Sequence, residues 1–115
     1  MPSIAKSTID DLLSRMEPDT SPATIDVGNP VMAFCELVAH DGIETGVWSC
    51  TAGGWTIESY GVNEAMVMLA GHLRLTAADG TVTDVHPGDL FFIPKGWSGR
   101  WDTMEDMQKA YVIVS

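Results

Sequence analysis

From Val31 onward, apolar and polar residues alternate in short runs that are separated by turn residues. Such alternation is typical of β-strands that face a core on one side and solvent on the other. The runs that predict strands are residues 32–39, 45–51, 55–60, 64–70, 72–78, 81–86, 91–93, 99–103 and 108–114. Short strands in this number and at this close spacing indicate an all-β sandwich or a jelly-roll-like β-barrel.

Two Asp-Gly pairs mark hairpin turns within this pattern. Asp41-Gly42 lies between the first two runs, and Asp79-Gly80 lies between the fifth and the sixth. Asp-Gly between strand-like runs is a strong hairpin signal, because both residues accept the positive φ angles that a tight turn requires. The sequence therefore predicts two antiparallel hairpins.

Turn residues also bracket the apolar run 90–93. Gly88-Asp89 precedes this run, and Pro94-Lys95-Gly96 follows it, before a further predicted strand that carries Trp97 and Trp101. Two turns so close to one short strand indicate β-structure with sharp corners.

The N-terminal segment has helical periodicity instead. Its apolar residues at helical spacing are Ile9, Leu12, Leu13 and Met16. Ser7 or Thr8 is positioned to cap a helix, and Asp10-Asp11 favour its first turn, because the helix dipole stabilises negative charge there. The sequence therefore predicts one short amphipathic helix before the barrel.

A connecting arm is predicted after the helix. Glu17-Pro18 ends the helical pattern, and the segment 17–30 contains three prolines and a glycine. We expect this arm to lie across the outside of the main body or of a partner subunit. The chain is thus divided into a helix with its arm, residues 1–30, and a β-barrel, residues 31–115.

Composition limits the classes of partner. A chain of 115 residues that is 45% hydrophobic and 19% charged is typical of one globular domain. The formal charge of −10 makes nucleic acid and anionic membranes poor partners, because phosphate binding requires a positive field. No apolar run is long enough to cross a membrane and no signal-peptide pattern is present, so we expect a cytoplasmic protein. Cys35 and Cys50 are predicted to be reduced core residues.

Two spaced motifs resemble those of the cupin superfamily. Glu64, six residues and Gly71 resemble the end of the first cupin motif, and Gly88, five residues and Pro94-Lys95-Gly96 resemble the start of the second. Segments similar to one subfamily are Gly46-Val47-Trp48, Gly53-Gly54-Trp55, residues 94–102 and residues 109–113. That subfamily comprises cupin domains of ureidoglycine aminohydrolase-like and ethanolamine-utilization protein Q-like proteins. The resemblance implies a single-domain cupin that forms a homodimer, because exposed strands of small cupin barrels pair across subunits.

The resemblance also implies where a cupin metal would bind, and no histidine stands there. The first histidine pair of the superfamily falls on Glu58 and Tyr60, its glutamate on Glu64, and its last histidine on Gly99. Oxygen donors hold hard divalent cations, whereas redox iron chemistry recruits imidazole. No cofactor is firmly implied, and a divalent metal on Glu58, Tyr60 and Glu64 is the alternative.

Strand alternation and the cupin template together predict a half-polar, half-aromatic cavity. We assign catalytic roles to Glu58, Tyr60 and Glu64 and ligand-binding roles to Gly99, Trp101, Lys109 and Tyr111. Desolvation in such a cavity disfavours an ionised carboxyl unless a cation such as Lys109 lies beside it, which is how general acids and bases are tuned. The structural alternative is a buried network that merely ties two strands together.

Three functions follow from these residues. We favour binding of a small polar organic metabolite in the barrel, with metal-independent acid/base catalysis such as isomerisation, dehydration or hydrolysis. The second is a divalent-metal-dependent hydrolase resembling ureidoglycine aminohydrolase. The third is a non-catalytic sensory or structural cupin. Because one fold hosts unrelated chemistries, the geometry of the site has to decide among them.

Overall fold

The structure is a computed structural model that describes residues 2–20 and 25–115. Its elements in chain order are α1 (Ile9–Leu13), β1 (Glu17–Pro18), β2 (Ile25–Val27), β3 (Met32–His40), β4 (Ile43–Cys50), β5 (Gly53–Ile57), β6 (Asn63–Ala77), β7 (Val82–Val85), β8 (Leu90–Ile93) and β9 (Gly99–Val114). Within these residues every strand pairing is antiparallel.

Two long strands, β6 and β9, organise the sheet. They pair with each other over almost their whole length, from Asn63 opposite Val114 to Ala77 opposite Gly99. β9 also pairs with β4 and β5, and β6 also pairs with β7 and β8. Because both long strands are shared in this way, the sheet curls into a barrel, and the prediction of an all-β, jelly-roll-like barrel is confirmed.

The strand boundaries differ from the prediction in both long strands. The runs 64–70 and 72–78 form the single strand β6, and the runs 99–103 and 108–114 form β9. The register of β6 against β9 shifts three times between Met68 and Leu73. Gly71 lies in this bulged region with φ of 89° and packs so closely that a Cβ would collide with the carbonyl oxygen of Asp106. A glycine that reads as a turn in the sequence here lets one strand bend without ending.

The first hairpin forms as predicted. Asp41 and Gly42 join β3 to β4 with φ angles of 51° and 80°. Positive φ at both central residues is the mark of the type I′ turn, whose twist matches that of the flanking strands. Gly80, with φ of 91°, occupies the second predicted turn, between β6 and β7.

Helix α1 is shorter than its apolar pattern, with only five residues. Thr8 is the cap, since its side-chain oxygen accepts a hydrogen bond from the backbone N–H of Asp11 at 3.1 Å. Leu12 is buried against Cys35 and Val47 on the outer face of β3 and β4. Leu13 and Met16 pack against the same cluster. These tertiary contacts therefore hold the helix, because a helix of this length is not stable alone.

The arm adds strands to the sheet on both sides of the barrel. Glu17–Pro18 pairs with β3, and Ile25–Val27 pairs with β5. Residues 21–24 of the predicted arm lie outside the described residues. Along residues 2–20 and 25–115, no helix is long and apolar enough to span a membrane.

Inward-facing side chains from both long strands form the main core. Met66 and Met68 of β6 and Met107 of β9 are each 1% exposed, and Leu73 is fully buried. Cys50 belongs to this core, whereas Cys35 lies under α1 on the outer face. Both cysteines are buried and free, as predicted.

Candidate functional site

The barrel encloses a cavity of about 880 Å³. Its walls come from β3, β4, β5, β6 and β9, and β1 with the two residues after it forms part of the rim. The lining residues are Glu17, Pro18, Asp19, Thr20, Phe34, Glu36, Glu44, Trp48, Trp55, Ile57, Tyr60, Glu64, Trp101, Lys109, Tyr111 and Ile113. Glu17, Thr20 and Glu36 are exposed, and they mark the open end. A volume of this size is typical of pockets that bind small organic molecules.

Glu64 lies inside this cavity between two donors. The hydroxyl of Tyr60 donates to Glu64 Oε1 at 2.5 Å, and the ammonium of Lys109 donates to Glu64 Oε2 at 2.8 Å. Glu64 and Lys109 project inward from the two central strands. Tyr60 belongs to the loop before β6, where its backbone N–H and C=O pair with Trp97 and Gly96. Each carboxylate oxygen therefore has its own partner, and both partners are held by backbone hydrogen bonds.

Lys109 is buried in largely apolar surroundings. Its side chain is 4% exposed, and its Nζ lies 3.1 Å from the sulfur of Met66. The faces of Trp48 and Trp101 approach Nζ, with ring centroids at 4.6 and 5.1 Å. Desolvation lowers the pKa of Lys109, and the charge and hydrogen bond of Glu64 oppose this shift. Among the described residues that line the cavity, Lys109 is the sole basic side chain.

Three tryptophans form the aromatic wall. Trp55 stacks on Trp101 with centroids 5.6 Å apart, and Trp48 meets Trp101 edge-on at the same distance. Trp101 donates its indole N–H to Thr103 at 3.1 Å, and Trp48 donates to Asp19 at 2.9 Å. Because all three indoles are packed and two of them are hydrogen-bonded, they present fixed ring surfaces to a ligand.

Carboxylates surround the open end. Glu44 accepts a hydrogen bond from the hydroxyl of Tyr111 at 2.8 Å, and Glu17, Asp19 and Glu36 lie nearby in the lining. Burial raises the pKa of Tyr111, and its hydrogen bond to Glu44 adds to the shift. The entrance is therefore negatively charged at neutral pH, whereas Lys109 carries the positive charge deeper inside.

Comparison with known families agrees with the fold. Residues 37–111 match the family model of the EutQ-like cupin domain, which is well over half of the chain.

This chain belongs to the EutQ-like cupin family.

Solved structures with the same fold are distant in sequence. A Pseudomonas syringae pv. tomato protein of unknown function superposes with a TM-score of 0.81 at 21% identity, over 89% of this cupin but only 45% of its own chain. A putative ethanolamine utilization protein Q from Salmonella typhimurium gives 0.65 at 18% identity, over 87% and 97% of the two chains. The polyketide cyclase RemF from Streptomyces resistomycificus gives 0.72 at 17% identity, over 97% and 80%. No curated protein matches the sequence. These likenesses establish the fold alone.

Five of the predicted site residues come together in the cavity of this cupin. They are Tyr60, Glu64, Trp101, Lys109 and Tyr111. The inward direction of Glu64 and of Lys109 follows the alternation of β6 and β9, as the sequence predicts, and the bulges of β6 lie beyond Glu64. What these residues do to a ligand stays a prediction.

Two predicted residues lie elsewhere. Glu58 is exposed in the bend after β5, because the strand ends at Ile57 and the alternation no longer applies. Gly99 does not line the cavity: a Cβ there would collide with the carbonyl oxygen of Thr76 and lie 2.7 Å from two ring carbons of the Trp97 indole. The glycine therefore makes room for the backbone of β6 and for the side chain of Trp97.

The residues at the cupin metal positions do not suit a metal ion. Glu58 is exposed outside the cavity, and both carboxylate oxygens of Glu64 already accept hydrogen bonds from Tyr60 and Lys109. Across residues 2–20 and 25–115, no three His, Cys, Asp or Glu side chains are grouped as metal ligands. The ammonium of Lys109 neutralises the carboxylate that a cation would otherwise bind.

Sequence reasoning missed several lining residues, of which Trp48 and Glu44 contribute most. Both lie on β4, where Trp48 is directly opposite Lys109 and Glu44 is opposite Ile113. Alternation within β4 from Trp48 back to Glu44 was the available signal. The rim residues Glu17 and Asp19 had no local signal, because their position depends on the pairing of β1 with a distant strand.

Proposed function

We propose that this cupin binds a small polar organic metabolite, uncharged or cationic, in the barrel cavity and acts on it by metal-independent acid/base chemistry. The observation that carries the proposal is the buried arrangement of Glu64 between Tyr60 and Lys109, at 2.5 and 2.8 Å, in the wall of the 880 Å³ cavity. Perturbed ionisable groups in a pocket are typical of catalytic sites.

Glu64 and Lys109 supply the proton transfers in this proposal. The hydrogen bond between Lys109 Nζ and Glu64 Oε2 gives a short path for a proton, and desolvation lowers the pKa of the lysine toward the working range of a base. Tyr60 keeps its proton, because burial and the Glu64 charge raise its pKa, and it serves as a fixed donor. Isomerisation, dehydration and hydrolysis of a small metabolite each need such a donor and acceptor.

Charge supports an uncharged or cationic ligand. Five carboxylates and one ammonium line the cavity, and the whole chain carries −10. An anion would meet this negative field at the entrance. A cation or a hydroxyl-rich molecule would find carboxylate acceptors at the rim and indole faces behind them.

Ligands of similar size test this charge preference. Ethanolamine, ethylene glycol and glycolate share a hydroxymethyl group and differ in the charge of the group attached to it. Fluorescence titration is the measurement, because three tryptophans line the cavity. We expect saturable changes with the amine or the diol and none with glycolate at equal ionic strength. Binding of the carboxylate alone, or a cavity that responds to no polar compound in a wider panel built this way, would overturn the proposal.

Elemental analysis tests the metal-independent part. Protein purified without a chelator or an affinity-tag metal is expected to contain far less than one equivalent of any divalent ion. Near one equivalent of a single ion, lost together with activity in Glu64→Gln, would instead favour the hydrolase that resembles ureidoglycine aminohydrolase.

We also propose a cytoplasmic homodimer. Side chains of the outer sheet face leave an apolar surface of Leu90 and Phe92 on β8, Val67 on β6, and Val112 and Val114 on β9, all 38% to 76% exposed. Cross-strand register puts Val67 beside Leu90 and aligns Phe92 with Val112 through Ala65. Monomeric proteins seldom expose a continuous apolar patch of this kind. The free cysteines suit a reducing compartment.

Light scattering after size exclusion measures this oligomeric state. Phe92→Glu is expected to yield monomers. Val82→Glu, on an equally exposed valine of β7, is expected to leave the dimer intact. A wild-type monomer at micromolar concentration would contradict the proposal.

A further inference from the structure

We propose that Lys109 is a covalent catalytic residue whose Nζ condenses with an aldehyde or ketone group of the ligand to form an imine. This inference rests on the proposed function, because it uses the same cavity. It narrows the ligand class to small, uncharged or cationic carbonyl compounds.

The amine is placed for attack on a bound ligand. Lys109 lines the cavity and supplies its only amine among the residues described, while its side chain is 4% exposed. The Nζ is held between Glu64, the Met66 sulfur and the faces of Trp48 and Trp101. Nucleophilic lysines are activated in this way, by apolar walls that favour the neutral amine. The neighbouring carboxyl group supplies the acid that the condensation requires.

The proton balance closes within the Glu64 and Lys109 pair. The ammonium first passes one proton to Glu64, and the nitrogen lone pair attacks the carbonyl carbon, so that the C=O π electrons move to oxygen. Glu64 protonates that oxygen and takes a proton from the new C–N nitrogen, which gives a neutral carbinolamine. The protonated carboxyl then gives its proton to the hydroxyl, and water leaves. The products are a protonated imine paired with the Glu64 carboxylate, and one water.

An iminium provides what the proposed reactions need. It withdraws electrons from the adjacent carbon, so that a C–H bond there can lose its proton to Glu64 and form an enamine. Return of the proton at another carbon is isomerisation, and loss of a neighbouring hydroxyl as water is dehydration. Hydrolysis of the imine then releases the product and the free lysine. No oxidant, reductant or metal takes part.

A purely structural ion pair explains the site less well. β6 and β9 are already paired through their backbones on both sides of Lys109, from residue 63 to residue 77 of β6. A buried ion pair adds little net stability compared with apolar residues of similar volume. A tie between the strands would also not require the lysine to line an open cavity.

Reductive trapping is the direct test. Wild-type protein is incubated at pH 7 with glycolaldehyde and picoline-borane, a neutral hydride donor that the acidic entrance does not repel. Hydride converts the imine to a stable secondary amine, which peptide mapping by mass spectrometry assigns to one residue. Lys6, Lys95 and the N-terminal amine are internal references for background labelling.

We expect Lys109 to be labelled at least tenfold faster than Lys6 or Lys95. The cavity holds the carbonyl group of the ligand beside Nζ, whereas the two surface lysines meet it only in free solution. Glu64→Gln is expected to slow labelling at Lys109 alone, because it removes the proton carrier. Lys109→Arg keeps the positive charge and cannot form an imine, so it should show only the background at Lys6 and Lys95. Circular dichroism and melting temperature verify that both variants fold.

Labelling of Lys109 no faster than of the two surface lysines would overturn the imine. The outcome is separable from that of the proposed function. Fluorescence titration with carbonyl-free ligands tests the binding cavity by itself, so saturable binding with an unlabelled Lys109 would contradict the imine alone. Rapid labelling of Lys109 without binding of any carbonyl-free ligand would contradict the proposed non-covalent binding of a metabolite and would leave the imine supported.

Discussion

Glu64 is the residue on which the site depends, since one of its carboxylate oxygens accepts from Tyr60 and the other from Lys109. Among the described residues, no buried side-chain nitrogen or oxygen lacks a hydrogen-bond partner. A change at Glu64 therefore alters charge and hydrogen bonding together, and the choice of substitution decides which of the two is tested.

Glu64→Gln tests the role of the charge. The amide keeps the shape of the side chain and can still pair with Tyr60, so we expect a loss of about 1 to 3 kcal/mol in the free energy of unfolding. Ligand-induced fluorescence changes should disappear. Glu105→Gln, at an exposed position of β9, is the matched control and should alter neither property. A loss above about 4 kcal/mol with ligand binding intact would favour the structural network.

The pKa of Lys109 predicts a pH dependence of stability. Burial lowers this pKa in the folded protein. At pH values between the lowered pKa and the pKa of an exposed lysine, the folded chain therefore binds fewer protons than the unfolded chain. Stability from this group therefore increases as pH rises through that range. Arginine does not titrate there. As the pH rises from 7 to about 9.5, the free energy of unfolding of the wild type should therefore increase relative to that of Lys109→Arg.

Denaturant unfolding at several pH values measures this difference. Two tyrosines set the upper limit of the useful pH range. The pKa values of Tyr60 and Tyr111 are raised in the folded protein, so their contributions to the free energy of unfolding decrease above about pH 10. A difference that stays flat, or that moves toward the arginine variant, would contradict a lowered pKa of Lys109.

Among the site residues, the sequence predicted those whose direction follows from strand alternation. Glu64, Lys109 and Tyr111 follow the strand period and lie where it puts them. The prediction that Glu58 lines the cavity was wrong, because β5 ends one residue before it. The occupant of the space at Gly99 was not predictable, since a neighbouring indole folds back into it.

Gly71 is the decisive position among the strands. It combines φ of 89° with a close approach to the backbone of Asp106 and Met107. Gly80 has nearly the same φ, 91°, but a Cβ added there would meet no atom within 4 Å. A comparison of alanine substitutions at the two positions therefore separates the cost of backbone strain from the cost of steric contact between β6 and β9.

Gly71→Ala should lower the free energy of unfolding by about 2 to 4 kcal/mol, from strain and overpacking together. Gly80→Ala, which carries the strain alone, should cost about 1 to 2 kcal/mol. Chemical denaturation of both variants is the measurement. Equal losses would mean that β6 and β9 can separate locally without cost.

The elements themselves were partly predictable. Strand runs and the turn at Asp41-Gly42 follow local chemistry, and they form as expected. The joining of two runs into β6 was not predictable, because a glycine in a bulge and a glycine in a turn look alike in sequence. Helix α1 ends after Leu13 because the barrel surface offers a site for Leu12 and then pairs the chain as β1.

For the whole molecule, the excess of acidic residues predicts a response to salt. A charge of −10 on a 115-residue chain repels itself when the chain is compact. Raising NaCl from about 0.01 M to about 0.15 M shortens the Debye length from about 30 Å to about 8 Å. We expect the melting temperature to rise by a few degrees, which is roughly 0.5 to 1 kcal/mol at this chain length.

Differential scanning calorimetry measures this change, and KCl in place of NaCl controls for binding of a specific cation. A melting temperature that falls with salt would mean that attractive pairs, such as Arg100 with Asp26 and Asp102, outweigh the repulsion.

The barrel as a whole was predictable from the spacing of strands and turns, and the cavity was predictable only in part. Its floor comes from alternation along β6 and β9, which any strand pattern reveals. Its rim comes from the arm, where Glu17 and Asp19 reach the entrance through pairing between residues far apart in the chain. Such pairing leaves no local trace in the sequence.

The position of β9 also affects how the protein is made. This strand pairs with β4, β5 and β6 and is the last of the described strands to be synthesised. Until it emerges from the ribosome, those three strands lack their common partner, and their apolar side chains have no complete core to enter. Unpaired strand edges and exposed apolar surface are what chaperones bind and what aggregation requires. The nascent chain therefore exposes strand edges and apolar side chains until β9 has been made, since only then can the barrel close.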